Sequence, residues 1–232
     1  NSRLSTSPRP FVFINMAMAA DGKIATANRA AASFGSARDH DHLLALRATA
    51  DAVMCGARTA DLNPVNLGPG PAKFRRARLR RGLAENSLRV IVSGSGSLAP
   101  DAEVFRHRFS PVLVLTTARA PKRNLARIRA AGAEVKVCGR SEINFTVALR
   151  WLHKQWGVKR LLVEGGGELN AALFHAGLVD ELHLTLCPRL FGGRDAPTIA
   201  DGLGAAKLSE ATRLALTSSR RVGDELFLVY EV

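Results

Sequence analysis

The amino-acid sequence predicts an α/β protein of three layers, in which helices cover both faces of a mixed, mostly parallel central sheet. Short apolar runs alternate with amphipathic segments along almost the whole chain, a pattern typical of strand–helix–strand units. The last two apolar runs have no helix between them, so we expect them to pair antiparallel at one edge of the sheet.

Strands are predicted where short apolar runs end in turn residues. In chain order these runs are 11–18, 52–55, 89–92, 112–115, 134–137, 160–163, 181–186, 214–218 and 225–231. Helices are predicted where apolar residues recur at helical spacing, over 38–49, 122–131, 145–156 and 166–176. Gly132 and Gly177 follow two of these helices, where a glycine stop is expected. Residues 62–86 are predicted to be the longest irregular segment.

Length and composition indicate a globular protein with one domain. The 232 residues are 47% hydrophobic and 23% charged, and no apolar run approaches the roughly 20 residues of a membrane span. Residues 1–10 lack the apolar segment of a signal peptide and are expected to form a flexible N-terminal tail, followed by a single domain over 11–232. The chain does not begin with Met, so its first residue need not be that of the gene product.

The cysteines and the charge narrow the classes of function. Cys55, Cys138 and Cys187 are far apart and lack a C-x-x-C partner, so we expect buried thiols in the cytoplasm and no metal site. The net charge is +13, and its densest run is 73–81. Three interpretations stay open for this run: a solvated loop or short helix, a rim for anionic small molecules, or a nucleic-acid surface.

A glycine-rich turn is the most informative motif. The apolar run 161–163 leads directly into Glu164, Gly165, Gly166, Gly167 and Glu168, and a helical pattern follows. Glycines allow backbone N–H groups to approach an anion closely, and the start of a helix adds a partial positive charge. The motif is therefore either a phosphate-binding turn or a tight connection in the sheet, and its spacing differs from the common dinucleotide fingerprint.

Two further segments, 178–193 and 19–24, complete a pattern that resembles the reductases of riboflavin biosynthesis from about residue 10 to residue 232. The resemblance implies a dihydrofolate-reductase-like fold, NADPH as cofactor and a homodimer. It also implies reduction of the ribosyl side chain of a ribosylaminopyrimidine 5′-phosphate to ribityl. The chain contains no H-x-E or P-C-x-x-C pattern of the deaminase that bacterial relatives often carry.

The resemblance places cofactor contacts at the ends of three predicted strands. The residues concerned are Thr59, Asp61, Gly94, Ser95, Gly96, Ser97, Gly165, Gly166, Gly167 and Glu168. Small polar residues at the carboxyl ends of strands are where open α/β sheets bind ligands. A turn role remains an equal alternative for Asp61, and a flexible turn for the serine–glycine run. Ser93 and Gly94 stand where relatives carry an Asp-Ser pair.

The resemblance also implies a set of substrate contacts. These are Asn15, Asp21, Ser33, Arg47, Asn63 and Glu164, and Asp21 and Glu164 are the candidates for catalysis, without an assigned proton donor. The alternative for Asp21 is a structural role in the turn with Gly22, and the alternative for Arg47 is an interaction with the end of its own helix. Ala19 stands where relatives carry Ser or Thr, and Asn63 stands where they carry Asp. His183 is predicted to be a core or interface histidine.

Two substrates are compatible with this pattern. The deaminated 5-amino-6-(5-phosphoribosylamino)uracil is the one we predict, and the non-deaminated diaminopyrimidine or another pterin-like heterocycle is the alternative. A non-enzymatic nucleotide- or nucleic-acid-binding module is the remaining class, which only the net charge favours.

Overall fold

The computed structural model describes residues 8–29, 34–62 and 65–232. Within these ranges nine strands are β1 (Phe11–Ala19), β2 (Ala52–Gly56), β3 (Leu88–Val92), β4 (Val112–Thr116), β5 (Ala133–Val137), β6 (Arg160–Val163), β7 (Glu181–Cys187), β8 (Ala215–Val222) and β9 (Glu225–Glu231). Seven α-helices are α1 (Ala37–Arg47), α2 (Ala57–Leu62), α3 (Ala72–Arg80), α4 (Glu103–Arg106), α5 (Lys122–Ala130), α6 (Phe145–Trp156) and α7 (Gly167–His175).

All nine strands belong to one sheet, in the order β5-β4-β3-β2-β6-β1-β7-β9-β8. The seven strands from β5 to β7 are parallel, β9 is antiparallel to β7, and β8 is antiparallel to β9. The mixed, mostly parallel sheet and its antiparallel edge are thus confirmed. The carboxyl ends of the seven parallel strands lie along one edge of the sheet, which we call the carboxyl edge.

The core has two halves, one on each face of the sheet. Alternate residues of a strand point to opposite faces, so Ile14 of β1 packs with the cluster that contains Leu149 and Leu173, whereas Phe13 packs with the cluster that contains Ile128. Helices α6 and α7 supply the first cluster, and α5 supplies the second. The three-layer prediction is therefore confirmed.

The interpretation of residues 62–86 as irregular was wrong, because α3 lies in the middle of this segment. Phe74 packs against Leu44 and Ala48 of α1 and its C-cap. The buried Arg78 guanidinium donates hydrogen bonds to the carbonyl oxygens of Arg47 (2.7 Å), Ala50 (2.5 Å) and Ala84 (2.8 Å). Tertiary contacts of this kind hold a helix whose highly charged sequence lacks a broad apolar stripe. The short helix α4 was also not predicted.

The start of the chain makes one defined contact. Arg9 donates two hydrogen bonds to the carboxylate of Asp180, at 2.7 and 2.8 Å. The division into a tail over 1–10 and a domain over 11–232 stays a prediction, and residues 1–7 lie outside the described ranges. In the part of the chain that the structure describes, no helix is long and apolar enough to cross a membrane.

Candidate functional site

The order of the strands predicts a ligand-binding crevice at the carboxyl edge. The chain leaves β1, adds β2, β3, β4 and β5 on one side, and then returns to insert β6 between β2 and β1. Open α/β sheets bind ligands where the strand order reverses in this way. The glycine-rich turn (residues 165–167) follows β6 and therefore lies in this crevice, between the loops that follow β2 and β1.

The three glycines of this turn have different surroundings. A Cβ atom on Gly167 would lie 2.6 Å from the carbonyl oxygen of Thr198, so close packing requires this glycine, and Gly165 has a φ of 67° that favours glycine. A Cβ atom on Gly166 would meet only Oγ1 of Thr59, at 3.6 Å. Gly166 also caps α7 with φ 86° and ψ 150°, and no side chain caps this helix end. The open side of the turn is therefore at Gly166.

The segment 196–201 ties the turn after β1 to the glycine-rich turn. Ile24 N donates to the carbonyl of Pro197 at 2.9 Å, and Asp201 N donates to the carbonyl of Gly167 at 3.0 Å. Nδ2 of the buried Asn170 donates to the carbonyl of Ile199 at 2.8 Å. No local pattern in the sequence indicates this connection, because its partners are far apart along the chain. The segment 196–201 thus fixes the position of the turn after β1 relative to the glycine-rich turn.

Arg47 and Glu164 form a nearly buried ion pair at the base of the crevice. Nε and Nη2 of Arg47 lie 2.5 and 2.6 Å from the two carboxylate oxygens of Glu164, and Nη1 donates to the carbonyl of Gly68 at 2.6 Å. Burial acts to lower the pKa of Arg47, but the Glu164 carboxylate outweighs it and raises that pKa. Both residues were predicted as substrate contacts. The structure shows them as partners, and their contact with substrate stays a prediction.

The predicted cofactor residues lie on neighbouring strand ends. Thr59 is in α2, directly after β2, and the serine–glycine loop (residues 93–97) follows the adjacent β3. The carbonyl of Gly94 accepts hydrogen bonds from the hydroxyls of Thr116 and Thr117, at 3.2 and 2.8 Å. The hydroxyl of Ser95 contacts that of Ser97 at 2.9 Å and stays exposed. The loop is thus anchored on one side by β4 and open on the other.

Asp61 and Glu168 have simpler surroundings. The Asp61 carboxylate accepts a hydrogen bond from Ala99 N at 2.9 Å, which fits the alternative of a local structural role. Glu168 is exposed in the first turn of α7, where an acidic side chain favours the positive end of the helix. Neither contact tests the predicted role in cofactor binding.

The predicted substrate residues of β1 and its turn differ in exposure. Asn15 is buried, and its Oδ1 has no hydrogen-bond partner among the described residues. Asp21 is exposed and accepts a hydrogen bond from Gly192 N at 2.6 Å, which lowers the pKa of its carboxyl and ties the loop after β7 to the turn after β1. Ala19 is fully buried. Ser33 and Asn63 lie outside the described residues.

A polar cluster between α1 and β7 was missed by the sequence analysis. It contains Asp39, Thr185 and Glu225, with His183 at its margin, where Nε2 lies 2.5 Å from the Glu181 carboxylate. An acidic residue on a predicted surface helix gave no sign of this environment. Across the described residues, no group of three or more His, Cys, Asp or Glu side chains is arranged to bind a metal ion.

The fold defines a three-layer α/β protein of the dihydrofolate-reductase-like type, with the predicted site residues along its carboxyl edge. Over 96% of this chain, the structure of Acinetobacter baumannii RibD superposes with a TM-score of 0.78 at 20% identity, and the match spans 58% of that protein. At this identity the likeness concerns the fold alone.

Sequence comparison defines the family. The model of the RibD C-terminal domain matches residues 10–228, so the chain belongs to that family. It is 34% identical over 224 residues to the 2,5-diamino-6-ribosylamino-4(3H)-pyrimidinone 5′-phosphate reductase of Methanothermobacter thermautotrophicus, covering 97% of this chain and 99% of that protein. The enzyme of the same name from Aquifex aeolicus is 33% identical over 229 residues, which is 97% of each chain.

Proposed function

We propose that this protein is an NADPH-dependent reductase of riboflavin biosynthesis that converts the ribosyl side chain of a ribosylaminopyrimidine 5′-phosphate to ribityl. The observation that carries the proposal is the open backbone at Gly166 beside Thr59, in the crevice of a fold whose full-length relatives bear the reductase name. The reaction needs no protein nucleophile, because the cofactor supplies the hydride.

The residues at the carboxyl edge fit a phosphorylated cofactor. Gly166 leaves room for an anion at the uncapped start of α7, where backbone N–H groups and the helix dipole favour negative charge. Thr59 and the loop 93–97 extend this site across β2 and β3 with hydroxyl groups. NADPH, when bound, supplies the hydride for C1′ of the sugar, and these residues position it.

Arg47 and Glu164 give the site a fixed charge distribution. Both carboxylate oxygens of Glu164 lie against Arg47, so the carboxylate is held in place as an acceptor for ribosyl hydroxyls. Arg47 directs three of its N–H groups to protein acceptors and is held rigidly by them. In this proposal, Glu164 orients the sugar and Arg47 positions Glu164.

The proposal also specifies which of the two pyrimidines, diamino or deaminated, is the substrate. The sequence analysis predicted the deaminated uracil form. The relatives that match along their full length bear the name of the reductase for the diamino form, and we therefore favour the non-deaminated substrate for this chain.

A cytoplasmic homodimer completes the proposal. Strand β8 forms one edge of the sheet, and every residue of this strand except the last is exposed. Leu203, Leu208 and Leu216 are large apolar side chains on and before this strand, and all three are exposed. A second copy of the chain would cover this edge and remove both the unpaired backbone and the apolar surface from water.

An absorbance assay at the NADPH band tests the proposed function with the diamino and the deaminated substrate in parallel. We expect oxidation of NADPH with the diamino form and slower oxidation with the uracil form. Turnover of neither substrate would contradict the proposal and favour a reductase of another heterocycle. Salt-dependent binding of DNA without NADPH binding would favour the nucleic-acid-binding class.

A further inference from the structure

A concentration of unpartnered polar atoms lies between α1 and the sheet. Among the described residues, six buried side-chain oxygen or nitrogen atoms have no hydrogen-bond partner. Four of them belong to Asn15, Asp39, His183 and Thr185. Buried polar groups are normally satisfied, so such a concentration indicates a missing partner, either water or ligand.

Strand register explains why these residues meet. Asn15 of β1 lies opposite His183 of β7, and Ala17 lies opposite Thr185, so the side chains of all four point to one face of the sheet. Phe13 is on the same face and its ring contacts His183. The face is the one that α1 covers, and Asp39 lies in the first turn of that helix, beside Thr185. The cluster therefore adjoins the carboxyl edge that the candidate site occupies.

Two carboxylates of this cluster have different partners. Glu225 accepts hydrogen bonds from the backbone N and the hydroxyl of Ser36, at 2.8 and 2.6 Å, and from the thiol of Cys187 at 3.8 Å. Asp39 takes part in no ion pair within the described residues, and its Oδ1 is buried without a partner. Burial raises the pKa of the Asp39 carboxyl, with a further contribution from Glu225, although the Thr185 hydroxyl acts in the opposite direction. Thr185 is thus the hydroxyl beside Asp39, and Oδ1 of Asp39 stays without a close donor.

His42 does not supply a positive charge to this cluster. Burial lowers the pKa of His42 to about 4, so it is neutral at physiological pH. Nε2 of His183 is occupied by Glu181. A phosphate group would meet Asp39 and Glu225 here and would be repelled. A neutral ring edge that presents N–H donors fits this cluster.

We propose that Asp39 and Thr185 recognise the C2 edge of the pyrimidine substrate and select the form that carries the 2-amino group. This inference rests on the proposed function. The diamino form presents two adjacent donors, the 2-amino group and N3–H, which match the two oxygens of a carboxylate. The deaminated form presents a carbonyl at C2. Its oxygen would face the Asp39 carboxylate, and both groups are hydrogen-bond acceptors. The Thr185 hydroxyl and the Asn15 amide supply further polar contacts to the ring.

Equilibrium binding of the two phosphorylated substrates, without NADPH, tests the inference by calorimetry. We expect the wild-type protein to bind the diamino form about 10- to 100-fold more tightly than the uracil form, because a buried polar mismatch is costly. An asparagine offers one donor and one acceptor, which match N3–H and the C2 carbonyl. Asp39→Asn should therefore reverse the preference. Thr185→Val should weaken binding of the diamino form at least severalfold.

Asp41→Asn is the matched control, since Asp41 lies on the exposed side of the same helix and pairs with Lys73 at 2.9 Å. It should leave both affinities unchanged. An unchanged preference in folded Asp39→Asn, or equal binding of both forms by the wild-type protein, would overturn the inference. Binding that follows the expected pattern without any turnover of either substrate would contradict the proposed function alone.

Discussion

The Arg47–Glu164 pair is the most enclosed ion pair among the described residues, and it joins the end of α1 to the end of β6. Each residue could be identified separately from the sequence as a candidate. The pair could not, since its members are 117 positions apart and nothing local indicates that they meet. Asp39 was missed for a related reason, because only the sheet beneath α1 makes its position unusual. Local patterns reveal backbone features such as the glycine-rich turn, but not which distant side chains meet.

Replacing Arg47 by Met tests the structural part of this pair. The change leaves the Glu164 carboxylate buried without its partner, so we expect the free energy of unfolding to fall by about 3–5 kcal/mol. Urea denaturation measures the difference. Lys73→Met removes an exposed pair with Asp41 and should cost no more than about 0.5 kcal/mol. Equal losses of unfolding free energy in the two variants would show that the buried pair contributes no more stability than the exposed pair.

Gly166 provides a second test at the level of a residue. Gly166→Ala adds a Cβ on the open side of the turn at φ 86°, so we expect a loss of stability of roughly 1–3 kcal/mol and at least a tenfold loss of NADPH affinity. Fluorescence titration measures the affinity. Gly132→Ala is the control, since Gly132 has φ 101°, no atom within 4 Å of its added Cβ, and a place at the amino end of β5. NADPH affinity that falls equally in both variants would remove the turn from the cofactor site.

At the level of elements, most strands and long helices could be predicted, because their apolar residues recur with the correct period. Helix α6 was predicted with its exact bounds, since Phe145, Ala148, Leu149 and Leu152 form one buried stripe. Helix α3 was not, because only two of its nine residues are buried and one of these is Arg78. A buried arginine that donates to three carbonyls cannot be distinguished in sequence from a solvated arginine.

Arg78→Met tests whether α3 is held by this side chain. The substitution leaves buried carbonyl oxygens without donors, and we expect the free energy of unfolding to fall by about 2–4 kcal/mol. Arg80→Met, on the exposed side of the same helix, should stay within about 0.5 kcal/mol of the wild type. Matching stability in the two variants would mean that α3 docks without help from Arg78.

The exposed edge at β8 leads to a prediction about assembly. Light scattering should give twice the chain mass of 24.9 kDa for the wild-type protein. Leu216→Glu should shift the mass to that of one chain, because a charge within the proposed interface opposes its burial. Leu79→Glu is the control, since Leu79 on α3 is 55% exposed and Leu216 is 56% exposed. A wild-type monomer at working concentrations would contradict the dimer.

At the level of the whole molecule, fold and net charge carry different information. The alternation of strands and helices predicted the three layers, because burial of apolar surface on both faces of the sheet dominates the energetics. The charge of +13 did not predict function. Part of it is structural, since Arg78 and Arg89 are buried and donate to backbone carbonyls. The remaining positive charge would favour the approach of the proposed anionic cofactor and substrate over long distances.

Transfer of deuterium from NADPH labelled at C4 of the nicotinamide tests the central claim most directly. The protein is incubated with the diamino substrate and each C4 stereoisomer of the labelled cofactor, and the product is analysed by mass spectrometry. We expect a ribityl product that carries one deuterium at C1′ with one of the two stereoisomers. A ribityl product without deuterium from either stereoisomer, or no ribityl product at all, would contradict the account.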